Sequence, residues 1–273
     1  MSGSDGTLTA NARAAKYFAG APSVLVLAAA GAWSVLWLWS VSPYAGYLDH
    51  GSWLEIGVLA SVCRALPAGE VLLPAILHVC AWVLMIAAMM LPTIVPLLAL
   101  FRRIVSGRAD TDRLLWLIAA GYGCAWLGFG LLAHALDAGL LAAARQFDWF
   151  IAHGWVIGAI VVGGAGLFQF SALKYRCLDK CRTPYGFISE RWRGRAPSRD
   201  ALRIGFDHGL FCVGCCWALM LIMFVIGMGN VGWMLAIGLV MAIEKNISWG
   251  KRLSAPLGIA LIGWAGAIVA GNI

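Results

Sequence analysis

Five of the eight cysteines stand within 40 residues, as Cys177-Leu-Asp-Lys-Cys181 and Cys212-Val-Gly-Cys215-Cys216. Thiols grouped in this way can ligate a metal or exchange with disulfides. Thiolate and thioether ligands select soft ions, Cu(I) above all, whereas the oxygen ligands that Mg, Ca and Mn prefer are scarce in this chain. On a helix, Cys212, Cys215, Cys216, Met220 and Met223 share one arc about 140° wide. His78, Trp82, Met85 and Met89 fall within about 60° of one another by the same arithmetic, which makes a second soft face. Glu244 is an outlier of another kind, since a charge inside an apolar run is a functional candidate by default. Met241 precedes it by one turn, and the neighbouring Lys245 supports a competing reading of Glu244 as an interfacial, partly solvated charge. The isolated Cys63, Cys80 and Cys124 read as small hydrophobes. Any single methionine can equally be packing, and His50, His134, His153 and His208 read as surface or packing residues.

The elements that must carry these residues follow from composition. Of 273 residues, 62% are hydrophobic and 12% charged, and the mean hydropathy is +0.83. This excludes a soluble globular domain and predicts an all-α, polytopic integral membrane helix bundle. Runs of spanning length predict seven transmembrane helices at about 22–42, 71–100, 114–137, 150–172, 208–228, 230–245 and 254–272. The sixth is the shortest and could be half of a hairpin that does not fully cross. Pro74, Pro92 and Pro96 predict a kink or break in the second, near Met89-Met90-Leu91-Pro92. The segment 43–70 reads as an interfacial helix. The first run reads as a retained span rather than a cleaved signal.

Eighteen of the 20 basic residues fall on alternate loops of the seven-span arrangement. The positive-inside tendency then predicts a cytoplasmic N-terminus, with residues 1–21 as a cytoplasmic tail, and an external C-terminus. The net charge of +7 is explained by anionic membrane lipids facing the cytoplasmic loops, and no nucleic acid is needed as a partner. The basic 173–207 segment is expected to lie along the inner membrane surface. Both cysteine groups come to the cytoplasmic side, where reducing conditions favour metal binding or redox chemistry over structural disulfides. This reading sets the cysteines of the second group in the first turns of the fifth helix.

Three runs carry a family resemblance: Met85-Ile-Ala-Ala-Met89-Met90-Leu-Pro92, Leu173 through Pro184, and Gly209 through Met220, followed by Gly229-Asn230 and Glu244-Lys245. Together they resemble a bacterial family of predicted metal-binding integral membrane proteins, often labelled copper chaperones. The likeness covers roughly 70–250 of the single transmembrane domain 1–273. It implies a metal-binding role with Cys177, Cys181, Cys212, Cys215 and Cys216 as ligands.

The resulting expectation is a non-enzymatic, multi-pass inner-membrane protein that binds Cu(I), or another soft metal, for delivery or transfer to a metal-receiving protein. The expected metal residues are the five clustered cysteines with Met85, Met89, Met220, Met223, His78 and Glu244. Two alternatives stand beside it. One is a membrane thiol-disulfide oxidoreductase using Cys212 and Cys215, whose attraction is a helix start that would activate a thiol. The other is a metal transporter with broken helices. These motifs leave metal stoichiometry, direction of transfer and oligomeric state open.

Overall fold

Apolar runs broken only by proline and short polar stretches leave the backbone to satisfy its own hydrogen bonds. Every regular element is helical among the described residues, 21–42, 72–144, 146, 147, 149, 153–226 and 230–272, of the computed structural model. In chain order these are α1 (Ala21–Ser40), α2 (Leu72–Met89), α3 (Leu91–Ile104), α4 (Thr111–Ala144) and α5 (Trp155–Phe168). There follow α6 (Ala172–Arg182), α7 (Pro184–Arg191), α8 (Pro197–Ile226), α9 (Val231–Asn246), a 3-10 turn at Gly250–Leu253 and α10 (Ser254–Ala270). The expected tail and interfacial helix lie outside the described residues.

Among the described residues, four helices are long and apolar enough to cross a membrane, over Ser23–Ser40, Thr111–Asp137, Pro197–Ile226 and Gly250–Ala270. Two bent pairs raise the number to six if each is one broken span: Val79–Met89 with Leu91–Ile104, bent by 52°, and Trp155–Phe168 with Ala172–Arg182, bent by 63°. The first break falls where Pro92 was expected to place it, and Pro92 sits in the first turn of α3. The second divides the run expected at 150–172. Here Ser171 caps α6 by accepting from the Lys174 amide at 3.1 Å.

The seven-span expectation is thus not reached by length. The expected sixth span is α9, whose 16 residues rise about 24 Å against a hydrocarbon core of about 30 Å. The expected fifth span is longer than anticipated, because α8 begins at Pro197 rather than near 208.

The central packing is α4 against α8, and it depends on close backbone approach. A Cβ on Gly205 would collide with the Ile118 carbonyl, one on Gly121 with the Leu202 carbonyl, and one on Gly209 would stand 2.6 Å from the Ala125 Cβ. These three absent side chains bring Tyr122 of α4 against the cysteine face of α8.

The charged segments gather at one end of the bundle. Phe101, next to Arg102 and Arg103, meets Trp192 edge-on at 4.8 Å. An Arg182 guanidinium nitrogen donates to the Ser248 carbonyl at 3.0 Å, and Lys251 pairs with Asp179. The basic segments near 102–113, 174–203 and 245–252 therefore share an end, and α9 returns to the end from which α8 departs.

Candidate metal centre

The cysteine face of α8 is buried. Cys212, Cys215 and Cys216 are each 2% exposed or less, and Cys177 of α6 is buried beside them. Cys177 fits because residue 214 is glycine, where a Cβ would stand 2.7 Å from the Cys177 sulfur. Cys181, one turn further along α6, comes within side-chain hydrogen-bonding reach of Cys212 and Cys215. The two sequence motifs, separated by thirty residues, thus form one thiol cluster between α6 and α8.

The thiols differ in their partners. Cys215 and Cys216 both donate to the Cys212 carbonyl, at 3.1 and 2.9 Å, and so supply orphaned protons to their own helix. Cys212 instead receives polar groups from three other helices. The Tyr122 hydroxyl of α4 is 3.0 Å from its sulfur, the Lys245 ammonium of α9 donates at 3.0 Å, and the Thr93 hydroxyl of α3 lies 3.9 Å away. Lys245 also reaches the Cys216 sulfur at 3.8 Å and the Met90 thioether at 3.9 Å. Tyr122 is itself held by Thr93 at 3.0 Å and by the Met90 carbonyl, to which it donates at 3.2 Å. The Met90 carbonyl also accepts from the Thr93 amide and hydroxyl, at 3.1 and 2.8 Å, while the carbonyl that Pro92 leaves without a helical donor, that of Ala88, accepts from the Trp33 indole at 3.0 Å.

A cavity of about 180 Å³ opens onto this cluster, lined by Cys181, Cys212, His208, Lys245, Thr93 and Arg182 among others. Among the described residues, no three His, Cys, Asp or Glu side chains already stand in a metal-holding arrangement. Cys215 and Cys216 are turned to the backbone, and Cys212 to Tyr122 and Lys245. Ligation would require Cys181 and Cys212 to exchange those contacts for an ion.

The remaining expected residues are distributed as follows. Met85, Met89, Met220 and Met223 are all buried in the same core, joined there by Met90, Met234 and Met241. His78 lies on α2, and its side chain falls outside the described ones. Cys80 and Cys124 are exposed on the bundle surface rather than packed inside it. Glu244 is buried rather than partly solvated, and its carboxylate is paired away from the thiols. It is 2% exposed, and one carboxylate oxygen accepts from Lys174 at 2.6 Å and from Ser254 at 2.6 Å. Lys174, fully buried, also donates to Gln169, whose amide donates to the Ala165 carbonyl at 3.0 Å. Arg182 donates to the Glu244 carbonyl. Adjacent residues point about 100° apart on a helix, so Glu244 and Lys245 serve two centres.

Sequence reasoning passed over Tyr122, Thr93, Lys245 as a partner of thiols, and His208. One signal was legible: His208 and Cys212 are spaced i, i+4 and so share a helix face. The hydroxyls carried no signal, because they arrive from other helices. The helix-start argument for a redox pair does not hold, since Cys212 lies fifteen residues past Pro197 and the dipole effect fades within about the first turn.

An all-helical protein with four to six membrane-length apolar helices and a buried thiol cluster open to a polar cavity is the class these features define. Residues 79–268 match the PpoB2 family, described as copper chaperones. The chain belongs to that family, and the resemblance read from its motifs is thereby borne out. Neither curated proteins nor solved structures gave a match to the chain.

Proposed function

We propose that the chain is a multi-pass protein of the bacterial inner membrane that binds Cu(I) at the thiol cluster and hands it to a metal-receiving protein. Membership of a copper chaperone family supports the metal, and the soft ligand set supports its reduced state. The observation that carries the reading is the environment of Cys212, whose sulfur lies on a cavity within 3.0 Å of an ammonium. Among the described residues, no carboxylate pairs with that ammonium.

A Cu(I) ion held by two thiolates carries one net negative charge, and a buried uncompensated charge is costly. Lys245 brings the sum to zero. In this reading Cys181 and Cys212 capture the ion at the cavity mouth, while Cys177, Cys215 and Cys216 lie immediately behind as exchange partners. The positive-inside tendency turns this end, which gathers the basic segments, to the cytoplasm. The buried methionines of α2 and α8 offer thioethers deeper in the bundle.

The test is elemental analysis of reduced, detergent-purified protein loaded with Cu(I). Copper content is expected to collapse in Cys212→Ser and in Cys181→Ser, and unchanged content in both variants overturns the proposal.

The two broken helix pairs favour a second reading, movement of copper across the bilayer, because transporters build sites from discontinuous helices. Copper uptake into proteoliposomes separates it from delivery on one side. Uptake abolished by Cys212→Ser supports transport, and copper that binds without entering the lumen supports delivery.

A further inference from the structure

We infer that His208 is a ligand of the copper site, supplying a neutral imidazole nitrogen beside the thiolates of Cys181 and Cys212; this rests on the copper-binding reading above. His208 is 2% exposed and lines the same cavity as those two cysteines. Its Nδ1 is buried with no hydrogen-bond partner among the described residues. Buried polar atoms nearly always have a partner. A ring nitrogen left without one, on a cavity that two thiols also line, is explained if a metal uses it.

The placement is specific. His208 and Cys212 stand one turn apart on α8, so their side chains rise from the same face. The ring has two aromatic neighbours, Phe187 edge-on at 5.4 Å between centroids and Tyr122 at 6.0 Å. Phe187 is itself fixed under the Arg191 guanidinium, 4.0 Å from its ring centroid, and Arg191 is tied to Asp207 of α8 at 2.9 Å.

Charge decides in favour of imidazole over a third cysteine. Two thiolates, Cu(I) and the Lys245 ammonium sum to zero. A third thiolate from Cys215 or Cys216 would leave one buried negative charge, whereas neutral histidine adds a donor at no charge. Any proton displaced from a coordinating thiol leaves through the cavity as the metal enters.

The test is X-ray absorption at the copper edge on the full chain loaded with Cu(I) under reducing conditions, with affinity from competition against a Cu(I) chelator. The wild type is expected to show sulfur neighbours together with the outer-shell scattering of an imidazole ring. His208→Phe, which keeps an aromatic ring between Phe187 and Tyr122, should lose the imidazole signal, retain sulfur, and bind at least about tenfold more weakly, the loss that even outer-shell partners cause. His208→Ala should show the same spectral change, so a packing defect in one variant cannot produce the result. A wild-type spectrum with sulfur neighbours only, or an imidazole signal that survives in both variants, overturns the inference and leaves copper binding intact. A wild type that takes up no copper overturns the copper reading and the inference with it.

Discussion

Two buried polar centres lie side by side at the charged end of the bundle, and adjacent residues of α9 serve them. Around Glu244, charges are complementary and valences filled: Lys174, Ser254 and Gln169 close a network in which each donor has an acceptor. Around Lys245, the ammonium faces sulfur, an imidazole nitrogen has no partner, and a cavity of about 180 Å³ stands open. A closed network tethers elements; Glu244 joins α6, α9 and the start of α10. An open one with surplus positive charge is suited to receive a ligand that brings negative charge, as a copper dithiolate does. Burial alone does not distinguish function from structure, but the state of satisfaction does.

The largest effect is expected from breaking the closed centre. Removing one partner of a buried pair costs about 3–5 kcal/mol, whereas replacing both with apolar residues of similar volume is often neutral. Glu244→Ala should sharply lower the unfolding temperature in detergent, and Lys174→Met combined with Glu244→Leu should recover most of the loss while keeping the copper content of the wild type. Copper lost from that double variant would mean that the two centres are one.

The open centre should respond in the opposite way. Lys245→Gln should leave the unfolding temperature of the metal-free protein unchanged or raised. A hydrogen bond to a charged partner is worth about 1.5–3 kcal/mol, so Cu(I) affinity should fall roughly ten- to a hundredfold. A falling unfolding temperature with unaltered affinity would make Lys245 another structural tether.

The smallest effect belongs to the solvent side. The Arg108 guanidinium, bonded to Asp110 at 2.8 and 3.0 Å, holds that carboxyl below the usual carboxylate range. A lowered folded-state value means the contribution is present at neutral pH and is lost as pH falls through it. The pair is solvent-facing and screened, so Asp110→Asn should lower the unfolding midpoint at pH 7 only slightly and leave copper binding unchanged. Comparing its unfolding at pH 7 and pH 3 checks the sign, since any difference from the wild type should vanish at the lower pH.

How far the sequence was legible varies with the distance over which each feature is decided. Helicity, the break before Pro92, the thiol face of α8 and the copper family were readable, because each depends on residues within a few turns of one another. The start of α8 was not, since 197–207 is too polar for a hydropathy count to join it to the span. That polar turn is stabilised by contacts such as Arg191 with Asp207. Glu244 drew attention for the right reason, its charge in an apolar run, but its partner sits seventy residues away on α6. His208 read as a surface or packing residue, because a lone histidine near a helix start is ordinary until its nitrogen is found buried, unpaired and on the cavity that two thiols line.

The sequence by itself determined that the chain is a bundle of apolar helices with five of its eight cysteines concentrated in two short motifs. These properties follow from local periodicity and composition, which each segment carries unaided. The tertiary structure alone decided which of two neighbouring charges is spent on a tether and which faces sulfur, and that Tyr122 and Thr93 meet at Cys212. Those outcomes depend on how closely α4 and α8 approach through Gly121, Gly205 and Gly209, and on where α9 returns, which are distances between segments that no single segment encodes.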